Sequence, residues 1–213
     1  MQGTVGEKDK ILGSCLTFAL RKGAHEVSIA YKTSRDASAL QWLTPLQTAG
    51  KKYPYLFSQC QAIHARSIVP VQDSPSIRFR YHAELTVPKP LAAVMSAALT
   101  DQFDSPSHTT TYFFDMPQPI PAYLLALAVG NIAYKDVGPR SRVYAEPEML
   151  EGAAWEFAEI ESMIQAGEKI FGPYQWDRYD MLVMPPSFPY GGMENPRLSF
   201  FTPSIVVGDR SEI

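Results

Sequence analysis

The chain has 213 residues, enough for one or two domains, and its 46% hydrophobic and 19% charged residues describe an ordinary globular protein with a sizeable core. A formal net charge of −3, with no Lys/Arg-rich run, argues against a nucleic-acid partner, whose phosphates demand a basic surface. The longest nearly uncharged apolar run, Ile120 to Tyr134, is interrupted by Pro121, Gly130 and Asn131 and falls short of the about 20 residues that cross a bilayer, so no membrane partner is expected.

Glu7, Lys8, Asp9 and Lys10 stand close to the start, without the basic-then-apolar order of a signal peptide, and a cytoplasmic location is expected. Cys15 and Cys60 are too few for a disulfide framework and read as buried free thiols. Short runs of strand character follow one another: Leu16 to Leu20, Val27 to Tyr31, Gln61 to Val69, Ile77 to Val87 and Thr109 to Phe114. Within them Arg78 to Leu85 alternates cleanly, predicting one buried and one wet face of an antiparallel sheet. Leu91 to Leu99 is ambiguous, because Ala, Met and Leu favour helix while Pro88 and Pro90 favour a strand. Asp101 to His108 reads as a loop, and Ile120 to Tyr134 as buried strand.

After about Gly130 the pattern changes. Glu151 to Phe171 predicts one helix with Phe157, Ile160, Ile164 and Phe171 near one face, Glu156, Glu159 and Glu168 toward water, and Gly172-Pro173 as its end. Met181 to Met184 predicts a short buried strand, and Leu198 to Phe201 and Ile205 to Val207 two more. A boundary is expected near residue 130, dividing the chain into 1–130 and 131–213.

The stretch Pro185 to Pro196 combines paired glycines, aromatic residues, prolines and a carboxylate. Gly191 and Gly192 lack a Cβ, so another backbone can approach theirs and pair with free N–H and C=O groups as an added strand would. A carboxylate at Glu194, beside that track, suits a free α-ammonium, since a charge-assisted bond selects a chain end over a chain interior. The same residues also fit a proline-stiffened turn with a solvated surface charge.

Gly191-Gly192-Met193-Glu194-Asn195 resembles the exopeptidase motif of the gluzincin zinc aminopeptidases, peptidase family M1. The longer run to Pro196, with Thr202-Pro203 and Gly208-Asp209-Arg210-Ser211, most resembles the branch of leukotriene A(4) hydrolase and aminopeptidase B. Ala39 to Pro45, Tyr55 to Arg66, Gln72 to Ser76, Ile120-Pro121 with the run into Gly130, and Gly172-Pro173-Tyr174 also resemble that branch, in its order.

The resemblance implies a mainly β N-terminal domain of antiparallel, saddle-like sheets, missing its first strands. The first α+β part of a thermolysin-like catalytic domain then follows. It resolves Leu91 to Leu99 toward strand. It implies a parent enzyme that removes N-terminal residues from peptides with one zinc ion, held by an H-E-x-x-H helix and a further Glu. His25, His64, His82 and His108 offer no pair at the four-residue helical spacing, so the metal site and the catalytic residues are expected beyond Ile213, and the chain alone is expected to be inactive and free of zinc.

The substrate-binding residues implied are Gln59, Cys60, Gln61, Pro189, Tyr190, Gly191, Gly192, Met193 and Glu194. Glu194 binds the ammonium with help from Gln61, the glycines pair with substrate backbone, Tyr190 and Met193 line the first subsite, and Cys60 and Pro189 act through backbone. The partner is a peptide with a free N-terminus, and self-association through truncated surfaces is expected. Alternatives are a bifunctional epoxide hydrolase and aminopeptidase of the leukotriene A(4) hydrolase type, a non-enzymatic peptide-binding module, and a structural β domain without a site.

Overall fold

A computed structural model describes residues 3–211. In the unit Met1–Arg35, strand β1 (Thr4–Asp9) pairs antiparallel with β2 (Gly13–Thr17), turned by the Asp9 carboxylate, which accepts the Ile11 and Leu12 N–H groups at 2.7 Å each. The hairpin is exposed along almost its whole length, so Cys15 is exposed rather than buried. The expected strand at Leu16 to Leu20 begins earlier and stops at Thr17, and Val27 to Tyr31 forms no strand.

The unit Asp36–Ile213 contains three sheets. The first has the order β3 (Leu40–Leu43), β4 (Tyr55–Ser58), β9 (Leu127–Gly130), β6 (Ala92–Met95), all antiparallel. The second has β8 (Thr109–Pro121) between β5 (Arg78–Pro88) and β7 (Ala98–Ser105). In β5 exposed and half-buried residues alternate, as the Arg78 to Leu85 pattern requires.

Leu91 to Leu99 is strand, as expected, but in two pieces. Ser96 breaks it: its hydroxyl donates to Leu124 O and accepts the Ala126 N–H, both at 2.9 Å. The expected loop at Asp101 to His108 is instead the second half of β7 up to Ser105. Polar residues persist there because that strand is exposed, with Asp104 paired to Lys89 at 2.6 Å and accepting from the Thr110 hydroxyl at 2.7 Å.

Gln61 to Val69 is a turn followed by a 3-10 turn at Ala65–Ser67 rather than a strand. Local bonds replace a ladder: His64 N–H donates to Cys60 O, and the buried Asp73 carboxylate accepts both the N–H and Nε–H of Arg66. Ile120 to Tyr134 also divides, into the end of β8, a 3-10 turn at Ala122–Leu124, β9 and the start of the next strand.

The third sheet runs β10 (Ala133–Gly138), β11 (Ser141–Ala145), β12 (Asp180–Val183), β14 (Leu198–Phe201), β13 (Gly192–Met193). β11, β12 and β14 are mutually parallel, and a parallel connection needs a crossover of a dozen or more residues. Helices α1 (Pro147–Glu156) and α2 (Ile160–Phe171) supply it between β11 and β12. The one helix expected over Glu151 to Phe171 thus starts four residues earlier, behind Pro147 at its first position, and is interrupted by a 3-10 turn at Phe157–Glu159. Ile205 to Val207 belongs to a 3-10 turn, Pro203–Ile205, and the residues after it, not to a strand.

Phe157 and Ile160 pack with Val143, Met181 and Val183, whereas Phe171, expected on that face, is 87% exposed past the sheet. Glu156, expected in water, is buried and accepts N–H bonds from Gly208 and from Arg210, the latter at 2.9 Å. Glu146, also buried, accepts from Ala49 N–H at 2.7 Å and Gly50 N–H at 3.3 Å. Glu146→Ala leaves those amides unpaired in a half-buried place, and we expect a loss of about 2 kcal/mol in urea unfolding of the chain.

Arg140 grips Glu168 with Nη1 and Nη2, each at 2.7 Å, and Glu161 with Nε at 3.0 Å. The Arg140 bonds, then the Tyr174 N–H, hold the Glu168 carboxyl down at about 2. A folded pKa below the unfolded value of about 4.3 adds stability above that value, and this is lost as pH falls toward 2. Glu168→Gln should therefore lower the urea midpoint at pH 6 while the gap to the parent chain narrows between pH 4.5 and about 2; a gap that stays constant with pH would contradict this.

Candidate functional site

Residues 185–196 leave the end of β12, project past the sheet, and return through β13 into β14. Phe188 N–H closes a turn onto Pro185 O at 2.9 Å, and the Ser187 hydroxyl donates to Gln47 O at 3.1 Å, joining this segment to the loop before β4. Phe188 is buried, with its ring edge-on to Phe57 at 5.4 Å.

Gly191 O then accepts Thr202 N–H at 3.0 Å, and Gly192 and Met193 pair with Phe201 and Phe200. Because β13 is the last strand of its sheet, its other edge has no neighbouring strand among the described residues. Met193 points into the cluster of Leu182, Leu198 and Phe200, so its side chain is core, whereas Pro189, Tyr190, Gly191, Gly192 and Glu194 are exposed.

Glu194 has no hydrogen bond or ion pair among the described residues. The neighbours that follow it are buried instead. Asn195 is buried, with Nδ2 unpartnered among the described residues, and the Arg197 guanidinium is engaged by Asp177 and by Gln118 Oε1, the latter at 3.1 Å.

The other predicted group follows β4. Gln59 N–H donates to Ala39 O at 2.8 Å, and Gln59 Oε1 accepts the Gln61 N–H at 3.3 Å. Gln61 is exposed, its side-chain amide makes no hydrogen bond among the described residues, and the Gln61–Ala62 peptide is cis. Cys60 is buried, and burial first and the Asp73 carboxylate second push its thiol up to about 12, so it stays protonated and is no nucleophile at neutral pH.

The two groups are rooted in different apolar clusters, Cys60 with Ala39, Ala65 and Leu125, and Met193 with Phe188, Phe200 and Phe57, the residue two before Gln59; no hydrogen bond joins Gln61 to Glu194 among the described residues. An exposed, unpaired carboxylate beside an open strand edge can take an extended peptide and the donors at its end. Sequence reasoning singled out both groups but not the Ser187 bond to Gln47 or the Phe188 contact with Phe57, because such contacts exist only once distant segments are brought together.

Among the described residues no group of three or more His, Cys, Asp or Glu is placed to hold a metal ion. His64 Nδ1 lies 2.7 Å from the Ser38 hydroxyl and His82 Nδ1 2.9 Å from Asp115. The described residues therefore do not fit the implied zinc. A cavity of about 540 Å³ lined by Met95, Phe114, Tyr144, Arg142 and Arg178 includes none of residues 185–194. Its Arg142 and Arg178 are already paired, with Asp136 at 2.7 Å and Asp180 at 3.0 Å.

Comparison with known proteins gives two family matches, the Peptidase M1 N-terminal domain over residues 6–124 and the Peptidase family M1 domain over residues 155–213. Leukotriene A-4 hydrolase of Xenopus laevis is 52% identical over 201 residues, 92% of this chain and 33% of that protein. Leucine aminopeptidase 2 of Yarrowia lipolytica is 48% identical over 214 residues, 99% of this chain and 32% of that protein. The solved structure of native yeast LTA4 hydrolase superimposes with a TM-score of 0.88 at 39% identity, covering all of this chain and 33% of its own. A yeast LTA4 hydrolase structure in complex with bestatin gives 0.84 at 38% identity. The chain spans about a third of the length of these relatives. The part they share with this chain is the mainly β architecture expected, followed by the start of an α+β region.

The paired glycines are not equivalent. A Cβ at Gly192 would sit 2.9 Å from Phe200 O, a backbone atom that cannot swing aside, while at Gly191 nothing lies within 4 Å. Gly192→Ala should loosen β13 and lower the unfolding temperature by several degrees, about 1 to 2 kcal/mol, whereas Gly191→Ala should leave it within about 0.5 kcal/mol; calorimetry of both variants distinguishes them.

Proposed function

This chain belongs to peptidase family M1, and on that premise we propose that it is the substrate-gripping part of a zinc-dependent aminopeptidase, whose parent hydrolyses N-terminal residues from peptides. The observation that carries this reading is an unpaired, exposed Glu194 carboxylate at the end of the open edge strand β13. On this reading residues 1–130 are the N-terminal β domain and residues 131–213 the start of the thermolysin-like catalytic domain. The zinc belongs to the whole enzyme and is held by residues other than those described, so the roles below concern binding alone.

An extended peptide adds to β13, its backbone pairing along Gly191 and Gly192; the open space beside Gly191 leaves room for it, while the missing side chain of Gly192 lets β13 lie close to Phe200. Its α-ammonium donates to Glu194 and to the Gln61 amide oxygen. Two acceptors together satisfy several of its N–H bonds, and an acetylated or interior residue offers no such charge. Tyr190, 48% exposed, lines the first subsite, while Met193 acts through its backbone because its side chain is in the core. Gln59, Cys60 and Pro189 shape the approach.

No helix among the described residues is long and apolar enough to cross a membrane. The exposed Ile170 and Phe171 at the end of α2 are the surface through which the isolated chain would self-associate. A second reading is a bifunctional leukotriene A(4) hydrolase type, favoured by the 52% identity to a protein of that name. Assay of the parent on peptide amides and on leukotriene A4 separates the two.

The roles are tested in the full-length parent. Glu194→Gln removes a charge-assisted bond and should lower kcat/KM for peptides with a free amine by about ten- to a hundredfold, with zinc content unchanged and N-acetylated peptides losing little. Gln61→Ala should lower it by about fivefold, and the double variant should lose less than the product, since both groups hold one ammonium. An unchanged preference for the free amine in Glu194→Gln would remove Glu194 from the site.

A further inference from the structure

The two acceptors proposed for the ammonium stand far apart in the chain, so their spacing is set by whatever packs between the segments that carry them. One ring does this. Phe188 is 6% exposed and meets Phe57 at 5.4 Å, Tyr190 at 5.5 Å and Phe200 at 6.5 Å, each close to edge-on. Phe57 lies in β4, which runs on through Ser58 into Gln59-Cys60-Gln61. Tyr190 opens the run to Glu194, and Phe200 is the register partner of Met193. A single side chain therefore touches the strand that leads to Gln61, the residue before the glycine pair, and the strand that holds Met193.

The adjoining residue adds a polar tie. Ser187 donates to Gln47 O at 3.1 Å, in a loop whose own shape is held by the Thr44 N–H to Gln47 Oε1 bond at 2.9 Å and by Glu146 on Ala49 and Gly50. Ser187 and Phe188 thus bind the glycine segment to the N-terminal side at two points. The segment's remaining hydrogen bonds, Gly191 O to Thr202 and the β13 pairing, join it to β14, and Met193 packs into the same cluster as Phe188 and Phe57.

We propose that Phe188 is a positioning residue that sets the spacing between Glu194 and Gln61, an inference that rests on the proposed roles of those two groups. An ammonium's N–H bonds leave nitrogen at fixed angles, so both acceptors are satisfied only over a narrow range of separation. Packed interiors pass displacements on rather than absorbing them, and edge-on aromatic pairs hold both distance and angle. Removing the ring frees the 185–194 segment to shift against β4, and the bond to Gln61 is lost first because that acceptor belongs to the other side. A misplacement of about 1 Å in a positioning contact is enough to cost on the order of a hundredfold in rate.

The test is Phe188→Leu in the full-length parent, alone and combined with Gln61→Ala, with zinc analysis and thermal unfolding alongside. Phe188→Leu should lower kcat/KM for free-amine peptides by about tenfold, mostly in KM, and N-acetylated peptides should lose less than about twofold. The penalty for Gln61→Ala should shrink from about fivefold in the parent to less than about twofold in the Phe188→Leu background. Ser187→Ala, which keeps the core intact, should act in the same direction with a smaller effect, and it carries the test if Phe188→Leu does not fold. Equal losses on free and blocked peptides, or a Gln61→Ala penalty that stays whole in both backgrounds, would overturn the inference. If Glu194→Gln itself leaves the free-amine preference intact, it is the proposed function that fails; a normal Glu194→Gln defect with an undiminished Gln61 penalty defeats only the positioning role.

Discussion

The arrangement of residues 36–213 depends on burying strand β12 on both faces. Successive side chains of a strand point in opposite directions, so Met181 and Val183 enter the cluster beneath the helices while Leu182, with Met184 just beyond the strand's end, enters the cluster shared with Phe57, Val94 and Ala128 of the four-stranded sheet. One short apolar run thereby serves two cores. The helices and the four-stranded sheet are fixed to the same ladder, and a large change at either core is felt at the other. The segment carrying the paired glycines leaves the end of this strand and comes back as its neighbour β14, so its course is framed on both sides by the most buried part of the sheet.

The carboxylates divide into two kinds. Glu146, the N-cap residue of α1, and Glu156, at its C-terminal end, are buried and each accepts two backbone N–H groups from distant segments. A buried carboxylate persists only when it is bonded in this way, and the four bonds tie the Ala49-Gly50 loop and the Gly208 to Arg210 segment to one helix. Glu194 is the opposite case, exposed and without a partner among the described residues. The buried, bonded carboxylates hold the chain together here, whereas Glu194 is set apart by its place at the end of an open edge strand.

Where local pattern and tertiary demand agree, the sequence was legible. The Arg78 to Leu85 alternation became β5, the Met181 to Met184 run became β12 and the turn of chain leaving it, and Gly172, with a φ of 87°, ends α2 as expected of a glycine there. The misreadings have separate physical causes. Gln61 to Val69 has apolar residues in plenty but is folded by side-chain to backbone bonds from Asp73 and Ser67, which no hydrophobic periodicity registers. Asp101 to Ser105 is polar because its strand faces water, and exposure was mistaken for a loop. Glu156 lies on the helix surface that periodicity assigns to solvent, yet a C-terminal segment covers it.

The sequence by itself determined the family and the mainly β architecture, and it singled out Pro189 to Glu194 as a group, because a motif and an alternation are properties of neighbours in the chain. It also carried Gln59 to Gln61, through resemblance alone. Only the tertiary structure decided that Met193 is core while Glu194 is open, that β13 stands at a sheet edge, and that Phe188 rests on Phe57. The physical reason is that exposure, edge position and cross-chain packing depend on which distant strands are laid side by side, and that choice is made by the burial of β12 and its partners rather than by any local preference.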